Sequence, residues 1–229
     1  MTKMDGAVVL VTGANGGLGI EFVQQVLDRG AAKVYATART PKQWDDARVV
    51  PLALDVLDPA SIAAAVSAAG DVTVLINNAG VGGGGPLSGR LDDIRAIFET
   101  NFFGAVAVAA AFAPVLTGGV LLNVHSLLSW NGVGGAYSAT KAALWSATNS
   151  LRLELAGQGT QVVGLHLGYT DTPMVADVTA PKGDPAEVVR LAYNGIESGA
   201  LEVLADAPSV ATKRLLAEPI EAMYPQLAR

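Results

Sequence analysis

Short apolar runs alternate with segments of helical periodicity along the whole chain. Seven strands are predicted by the apolar runs at 7–13, 33–39, 49–56, 72–80, 119–126, 160–168 and 200–205. Helices are predicted by apolar spacing within 17–29, 61–70, 91–116, 136–157, 185–199 and 209–223. This alternation indicates βαβ units with right-handed crossovers. We therefore expect an α/β fold, a doubly wound parallel sheet with helices on both faces, formed by residues 1–229 as a single domain.

Composition supports this class and argues against several others. Apolar residues make up 51% of the chain and charged residues 16%, which suits strands that are buried on both faces. The net charge is −6 and no cluster of Lys and Arg occurs, which argues against a nucleic-acid partner. The absence of cysteine excludes disulfides and thiolate chemistry. The apolar run 105–116 is short for a membrane span and the N-terminus shows no signal-peptide pattern, so we expect a soluble, cytoplasmic protein without membrane partners.

A glycine-rich segment, "VTGANGGLG" (11–19), joins the first predicted strand to the first helix. Glycines let the backbone approach a pyrophosphate, whose negative charge suits a helix N-terminus. A plain turn is the alternative, but the strand before and the helix after favour a dinucleotide site. The spacing is Gly-x-x-x-Gly-x-Gly, and it differs from the commoner Gly-x-Gly-x-x-Gly.

A tyrosine and a lysine, Tyr137 and Lys141 in "YSATK", lie one turn apart on one face of a predicted helix. A phenol with a pKa of about 10 is a poor acid or base at neutral pH. We expect the nearby ammonium to favour the phenolate and lower that pKa. Such a phenol can donate a proton to a carbonyl oxygen while carbon receives a hydride, and can take it back in the reverse direction. An ordinary aromatic residue beside a solvated lysine is the alternative.

Four motifs occur together in a fixed order: "TGANGGLG", "NNAG" (77–80), a serine after the fifth strand, and "YSATK". In this combination the chain resembles the short-chain dehydrogenase/reductase (SDR) family, in its single-domain branch, over residues 7 to about 173. The resemblance implies a Rossmann-like fold and an NADP(H)-dependent alcohol dehydrogenase or carbonyl reductase. It also implies a catalytic group of Asn101, Ser126, Tyr137 and Lys141. Ser126 precedes Tyr137 by a loop that is short for the family, so Ser129 remains the second candidate for the catalytic serine.

The resemblance assigns cofactor-binding roles to residues at the ends of five predicted strands, and to Tyr137 and Lys141. They are Gly13, Asn15, Gly16, Gly17, Leu18 and Gly19 after the first strand, Ala38 and Arg39 after the second, Asp55 and Val56 after the third, Asn77, Ala79 and Gly80 after the fourth, and Gly168, Thr170 and Thr172 after the sixth. An NAD site has an acidic residue where Ala38 stands, and the Arg39 guanidinium can pair with a 2′-phosphate. We therefore expect NADP(H) rather than NAD(H).

Two departures from the family pattern weaken parts of this assignment. The second basic position of its NADP-binding members is Asn15 or Gly16 here, and Leu167 replaces the proline that usually precedes Gly168. An exposed arginine at a strand end is the alternative for Arg39. His125 and His166 lie in or beside predicted strands, where we expect buried histidines rather than ligands, and we predict no metal.

Apolar residues near the predicted site indicate the substrate. The candidates for the pocket are Leu127, Leu128, Trp130, Val133, Met174 and the segment 81–86, with at most a brief lid within 173–183. We expect a small hydrophobic or aromatic carbonyl compound or alcohol. The apolar faces of helices 91–116 and 136–157 indicate a homo-oligomer, a dimer or a tetramer, although the predicted helix 209–223 departs from the family and makes its usual tetramer doubtful. A non-catalytic NADP(H)-binding sensor on the same fold is the alternative function, and the joint presence of the four catalytic residues favours the enzyme.

Overall fold

Residues 2–228 are described by a computed structural model of the chain. All of its strands belong to one parallel sheet with the order 3-2-1-4-5-6-7. The strands are β1 (Val8–Thr12), β2 (Lys33–Ala38), β3 (Val49–Ala53), β4 (Val74–Asn77), β5 (Val120–Val124), β6 (Gln161–His166) and β7 (Glu202–Leu204). The predicted Rossmann-like, doubly wound sheet is confirmed. Its order reverses between β1 and β4, and sheets of this kind bind ligands at the carboxyl ends of the strands beside such a reversal.

Helices cover both faces of the sheet. They are α1 (Leu18–Asp28), α2 (Pro59–Ala68), α3 (Leu91–Phe98), α4 (Ala105–Phe112), α5 (Ala136–Glu154), α6 (Pro185–Glu197), α7 (Ala207–Arg214) and α8 (Ile220–Met223). Helices α1 and α6 pack against each other on one face, and α2, α4 and α5 contribute to the core on the other. Neighbouring strand residues such as Val9 and Leu10 are buried in opposite layers, which explains why the strands are apolar throughout.

The predicted helix 91–116 is helical along its length but irregular. A π-helical turn at Glu99–Gly104 separates α3 from α4, and a 3₁₀ turn that contains Pro114 ends the stretch. By length and composition alone, the 26 residues from Leu91 to Leu116 could cross a membrane. However, Val108, Phe112 and Leu116 are buried against the sheet. Packing within the fold therefore accounts for part of the apolar character of this stretch.

The predicted continuous helix 209–223 is wrong. Helix α7 ends at Arg214, a 3₁₀ turn follows, and α8 starts only after Pro219. Proline lacks an N–H and disfavours helical backbone in the residue before it, and Glu218 is accordingly extended, with φ −95° and ψ 164°. The helical stretch is therefore interrupted at Glu218 and Pro219, before α8 begins.

Candidate active site

The turn between β1 and α1 has a backbone that strongly favours glycine. Gly13 has φ +67°, and a Cβ there would lie 3.1 Å from the Cα of Ala79. A Cβ on Gly19 would lie 2.2 Å from the carbonyl oxygen of Gly13. The first glycine thus lets β1 approach the end of β4, and the second lets α1 approach the turn. The result is a bare backbone cradle at a helix N-terminus, which fits the pyrophosphate of a dinucleotide.

A cavity of about 1200 Å³ opens at the carboxyl ends of the strands, beside this turn. It brings together residues that are far apart in the sequence. The predicted site residues in its wall are Gly13, Gly16, Gly17, Leu18, Ala79, Gly80, Ser126, Tyr137, Lys141, Gly168, Thr170 and Thr172. Gly19 packs behind the turn, and Asp55 and Val56 lie after β3 outside the cavity wall.

Tyr137 lies in the first turn of α5 and faces Ser126, which lies two residues after the end of β5. Burial raises the pKa of Tyr137 to about 12, and a hydrogen bond with Ser126 acts in the opposite direction. Burial is the larger of these two causes, so the net shift is opposite to the lowering that the sequence predicts, and Lys141 is not among the groups that shift this pKa. The phenol is a protonated donor at neutral pH.

Lys141 is almost completely buried beneath the cavity. Its Nζ donates a hydrogen bond to the Val124 carbonyl at 2.9 Å and lies 5.7 Å from the centre of the Tyr137 ring. Burial lowers the pKa of Lys141 from 10.5 to about 8. No carboxylate among residues 2–228 forms an ion pair with it. The lysine therefore keeps its charge at neutral pH but gives it up much more readily than a solvated lysine does.

Asn101 lies in the π-helical turn and is buried. Its Oδ1 accepts a hydrogen bond from the Val81 N–H and its Nδ2 donates one to the Val81 carbonyl, each at 2.8 Å. The same Nδ2 is 3.4 Å from the Thr140 hydroxyl, next to Lys141. Asn101 thus joins the segment after β4 to the helix that carries Tyr137 and Lys141, although it does not line the cavity.

The two candidate serines have different surroundings. The Ser126 hydroxyl accepts a hydrogen bond from the Leu128 N–H, and the Ser129 hydroxyl accepts one from the Ser126 N–H. Ser126 lines the cavity, whereas Ser129 does not. The short loop between Ser126 and Tyr137 is taken up by 3₁₀ turns at Leu127–Ser129 and Gly132–Gly134. The geometry therefore favours Ser126 as the residue that meets a substrate.

Arg39 follows β2, just after Ala38, and is exposed. Within residues 2–228 its side chain makes no hydrogen bond or ion pair with the protein, which leaves the guanidinium available to an anion. Asn15 holds the segment that follows: its Nδ2 donates to the Thr40 carbonyl at 2.7 Å, and its Oδ1 accepts from the Lys42 N–H at 3.2 Å. Asn15, one of the two candidates for the family's second basic position, thus supports the segment that follows Arg39.

Two predicted side chains point elsewhere. The Asn77 amide donates to the Ala105 carbonyl and to the Asn123 Oδ1, so its side chain faces away from the cavity, and the predicted contact with a cofactor would have to come from its backbone. Its neighbour Asn78 lines the cavity and donates to the Thr12 carbonyl at 2.9 Å. Trp130 is also absent from the cavity wall, and its ring is buried against His166.

Trp130 stacks on His166 at a ring distance of 4.0 Å, and His166 stacks on His125 at 4.8 Å. Both histidines are buried, as the sequence predicts. Burial is the main cause that lowers the pKa of His166 to about 3. In the described part of the chain, no group of three or more His, Cys, Asp or Glu side chains could hold a metal ion.

Sequence reasoning missed one residue that holds the turn after β6. The Gly168 N–H donates to Asp206 Oδ2 at 2.6 Å, and the Ser209 N–H donates to Oδ1 of the same carboxylate at 2.7 Å. Asp206 thus caps α7 and fixes the turn in which Leu167 replaces a proline. The residues "DAPS" (206–209) are a recognisable helix start, but the contact with Gly168 depends on the fold.

Known proteins resemble this chain in sequence and structure. The family model for short chain dehydrogenases matches residues 7–183. A short chain dehydrogenase from Burkholderia cenocepacia, solved in complex with NADP, has 35% identity and a TM-score of 0.93 over 100% of both chains. An SDR from Burkholderia phymatum in complex with NAD has 26% identity and a TM-score of 0.83, over 97% of this chain and 96% of that one. The ketoacyl reductase HetN of Nostoc sp. is 30% identical, over 95% of this chain and 85% of that protein.

Proposed function

Because the chain belongs to the short-chain dehydrogenase/reductase family, we propose that it is an NADP(H)-dependent carbonyl reductase. It reduces a ketone or aldehyde to an alcohol, or runs the reverse reaction. One observation carries the proposal: Ser126, Tyr137 and Lys141 lie together in the wall of a cavity that also contains the glycine turn. The name of the ketoacyl reductase HetN agrees with carbonyl reduction.

The site fits a dinucleotide of the NADP(H) type, which supplies or accepts the hydride when it is bound. The glycine turn, with no Cβ at Gly13 or Gly17, would hold the pyrophosphate at the N-terminus of α1. Arg39 is free to pair with a 2′-phosphate, and Ala38 carries no charge that would repel it. The NADP complex of the Burkholderia cenocepacia protein agrees with this choice.

The protein's own groups account for the movement of the proton. The Ser126 hydroxyl would donate to the substrate carbonyl oxygen and orient it toward the phenol. With a pKa of about 12, Tyr137 is protonated at neutral pH and can donate its proton as the oxygen becomes negative. The Lys141 ammonium, 5.7 Å from the Tyr137 ring, would then stabilise the phenolate.

The outer cavity wall indicates the substrate class. Most of its large side chains are apolar, with Tyr169 adding a phenol: Leu87, Leu127, Leu128, Val133, Met174 and Val175. Among the described residues that line the cavity, Lys141 is the one with a full charge at neutral pH, and it lies at the base. A hydrophobic or aromatic carbonyl compound without charged groups suits such a wall. A carboxylate or phosphate on the substrate would find no cation in the outer wall.

The proposal extends to assembly and location. Phe103 and Leu153 are large, exposed apolar side chains on the outer helices, and a partner copy would remove them from water. We propose a soluble, cytoplasmic homo-oligomer, a dimer or a tetramer. Light scattering of the purified protein measures the number of subunits directly.

A non-catalytic sensor that binds NADP(H) is the second candidate, because the glycine turn alone would be enough for it to bind the cofactor. The enzyme and the sensor differ in whether they turn over a substrate. The enzyme should oxidise NADPH in the presence of at least one member of a panel of uncharged aliphatic and aromatic ketones and aldehydes. Binding of NADPH without turnover on any carbonyl compound, at high protein concentration, would favour the sensor.

A further inference from the structure

The end of the chain returns to the active site. We call residues 127–135 the substrate loop, and residues 219–228 the C-terminal strap. The hydroxyl of Tyr224, in the strap, accepts a hydrogen bond from the Gly132 N–H at 2.8 Å. The sulfur of Met223 lies 3.5 Å from the Asn131 Nδ2. These contacts join positions that are 92 residues apart in the sequence.

The other amides in this part of the substrate loop have local partners. The Val133 N–H donates to Asn131 Oδ1 at 3.1 Å, the Gly134 N–H to the Ser138 hydroxyl at 3.0 Å, and the Gly135 N–H to the Gly132 carbonyl at 3.1 Å. The tie from Gly132 to Tyr224 is different because it reaches outside the loop and α5. The local bonds set the conformation of the turn Gly132–Gly134, whereas the bond to Tyr224 sets its position relative to the rest of the protein.

This turn is part of the cavity wall. Gly132, Val133 and Gly134 line the cavity, and the Val133 side chain is 69% exposed at its mouth. A Cβ on Gly132 would lie 3.3 Å from the Tyr224 hydroxyl, so the glycine permits the close approach. The strap thus contacts the loop that presents Val133 to the space where a substrate would lie.

We propose that Tyr224 is a positioning residue: it fixes the substrate loop and thereby sets how large a substrate the cavity accepts. The part that concerns substrates rests on the proposed function. Tyr137 is held in the first turn of α5, and Ser126 lies before the substrate loop, two residues after β5, so the strap acts on the fit of the substrate rather than on proton donation. This gives the break at Pro219 a role, because a straight helix 209–223 would not turn toward the loop.

The test is Tyr224→Phe, which keeps the ring and removes the acceptor for the Gly132 N–H. Tyr35→Phe is the matched control, because the Tyr35 hydroxyl is bonded to Asp71 and the Ala68 carbonyl, before β4 begins. Amide hydrogen exchange of the peptide that contains Gly132 should become roughly 2- to 12-fold faster in Tyr224→Phe, the range that one hydrogen bond is worth, and stay unchanged in Tyr35→Phe.

Kinetics with NADPH give the second readout. For a bicyclic aryl ketone such as tetralone, the KM of Tyr224→Phe should change several-fold, while kcat and the KM for butanone change little. Unchanged exchange at Gly132 would overturn the positioning role. Faster exchange with an unchanged KM for both ketones would overturn the effect on substrate size. Absence of any turnover in the wild-type protein would refute the proposed function instead, and the exchange comparison would still decide whether Tyr224 fixes the loop.

Discussion

The Lys141 ammonium donates its hydrogen bond to the Val124 carbonyl, and it lies 5.7 Å from the centre of the Tyr137 ring. Burial acts on both groups and favours the neutral form of each. It raises the pKa of Tyr137 to about 12 and lowers the pKa of Lys141 to about 8. The resting site therefore holds a neutral phenol beside an ammonium that releases its proton readily, and the pKa of the phenol lies above that of the lysine instead of being lowered as the sequence predicts.

The pKa of Lys141 predicts a pH dependence of stability. Its value is about 8 in the folded protein and 10.5 in the unfolded chain, so the unfolded chain binds more protons between these pH values. Stability should therefore rise with pH in this window. Relative to Lys141→Met, the wild-type protein should gain about 2 kcal/mol of unfolding free energy between about pH 8 and pH 10.

Urea denaturation of both proteins across this window measures the gain. Tyr137 has the opposite effect, because its folded pKa is raised from 10 to about 12 and stability is lost as pH rises through that range. The comparison is therefore kept below pH 10. Parallel pH curves for the two proteins would contradict the buried ammonium.

Tyr137→Phe tests the proton donor. Removal of the phenolic hydroxyl should lower turnover by about 100-fold or more, the usual worth of a positioned acid. The dissociation constant of NADPH should stay the same, because the ring remains. Tyr169→Phe is the matched control, since Tyr169 also lines the cavity and should keep most of the activity. A normal rate of carbonyl reduction in Tyr137→Phe would show that Tyr137 is not the proton donor.

Ser126→Ala and Ser129→Ala separate the two serines. Loss of a donor to the carbonyl oxygen should lower kcat by about 100-fold in Ser126→Ala. Ser129→Ala removes an acceptor 3.4 Å from the Ser126 N–H and should cost much less. Rates measured with the same ketone at saturating NADPH decide between them. The reverse order would move the catalytic role to Ser129.

The exposed guanidinium of Arg39 predicts the preference for cofactor. A charge-assisted contact with the 2′-phosphate is worth about 1.5–3 kcal/mol, so NADP(H) should bind roughly 10- to 150-fold more tightly than NAD(H). We expect the lower half of this range, because Asn15 supplies no second charge. Ala38→Asp combined with Arg39→Ala should reverse the preference.

The dissociation constants of both cofactors, at fixed ionic strength, test this for the wild-type and the double variant. Arg48→Ala is a control, because Arg48 pairs with Asp46 away from the glycine turn. Equal affinity of the wild-type protein for NADP(H) and NAD(H) would show that Arg39 points to solvent.

Asp206→Ala tests the carboxylate that holds Gly168. Its loss should weaken NADPH binding by about tenfold, because one charge-assisted hydrogen bond to the turn disappears. The change also removes the N-cap of α7, so Asp58→Ala, which removes the N-cap of α2, is the matched control. Both variants should lose the stability that a helix cap provides, and Asp206→Ala should lose more because it also loses the bond to Gly168, as measured by thermal unfolding. Equal cofactor affinity in the two would assign Asp206 to the cap alone.

The sequence predicts the strands and most helices well because their signals are local. Apolar runs give the positions of the seven strands, and the glycine turn identifies the site at the end of β1. Several strands end earlier than predicted. The residues that follow Ala53 and Asn77, for example, are predicted as strand but belong to the loops that border the site.

The features that the sequence does not predict share one cause: each depends on contacts with residues that are distant in the sequence. Asn77 and Asn78 differ by one position, and the pattern at a strand end does not say which of them faces the glycine turn. Asp206 and Tyr224 act on loops 38 and 92 residues away. The pKa of Tyr137 is set by the burial that the whole fold imposes, which no spacing of Tyr and Lys reveals.

The stacking of Trp130 on His166 provides an intrinsic optical reporter at the base of the substrate loop. The chain has three tryptophans, so Trp44→Phe with Trp145→Phe would leave a single emitter. His166 has a pKa of about 3 and stays neutral at ordinary pH, so its charge will not alter the fluorescence of the ring above it. A change of emission when a ketone is added would then report movement of the substrate loop, without labels and without a measurement of turnover.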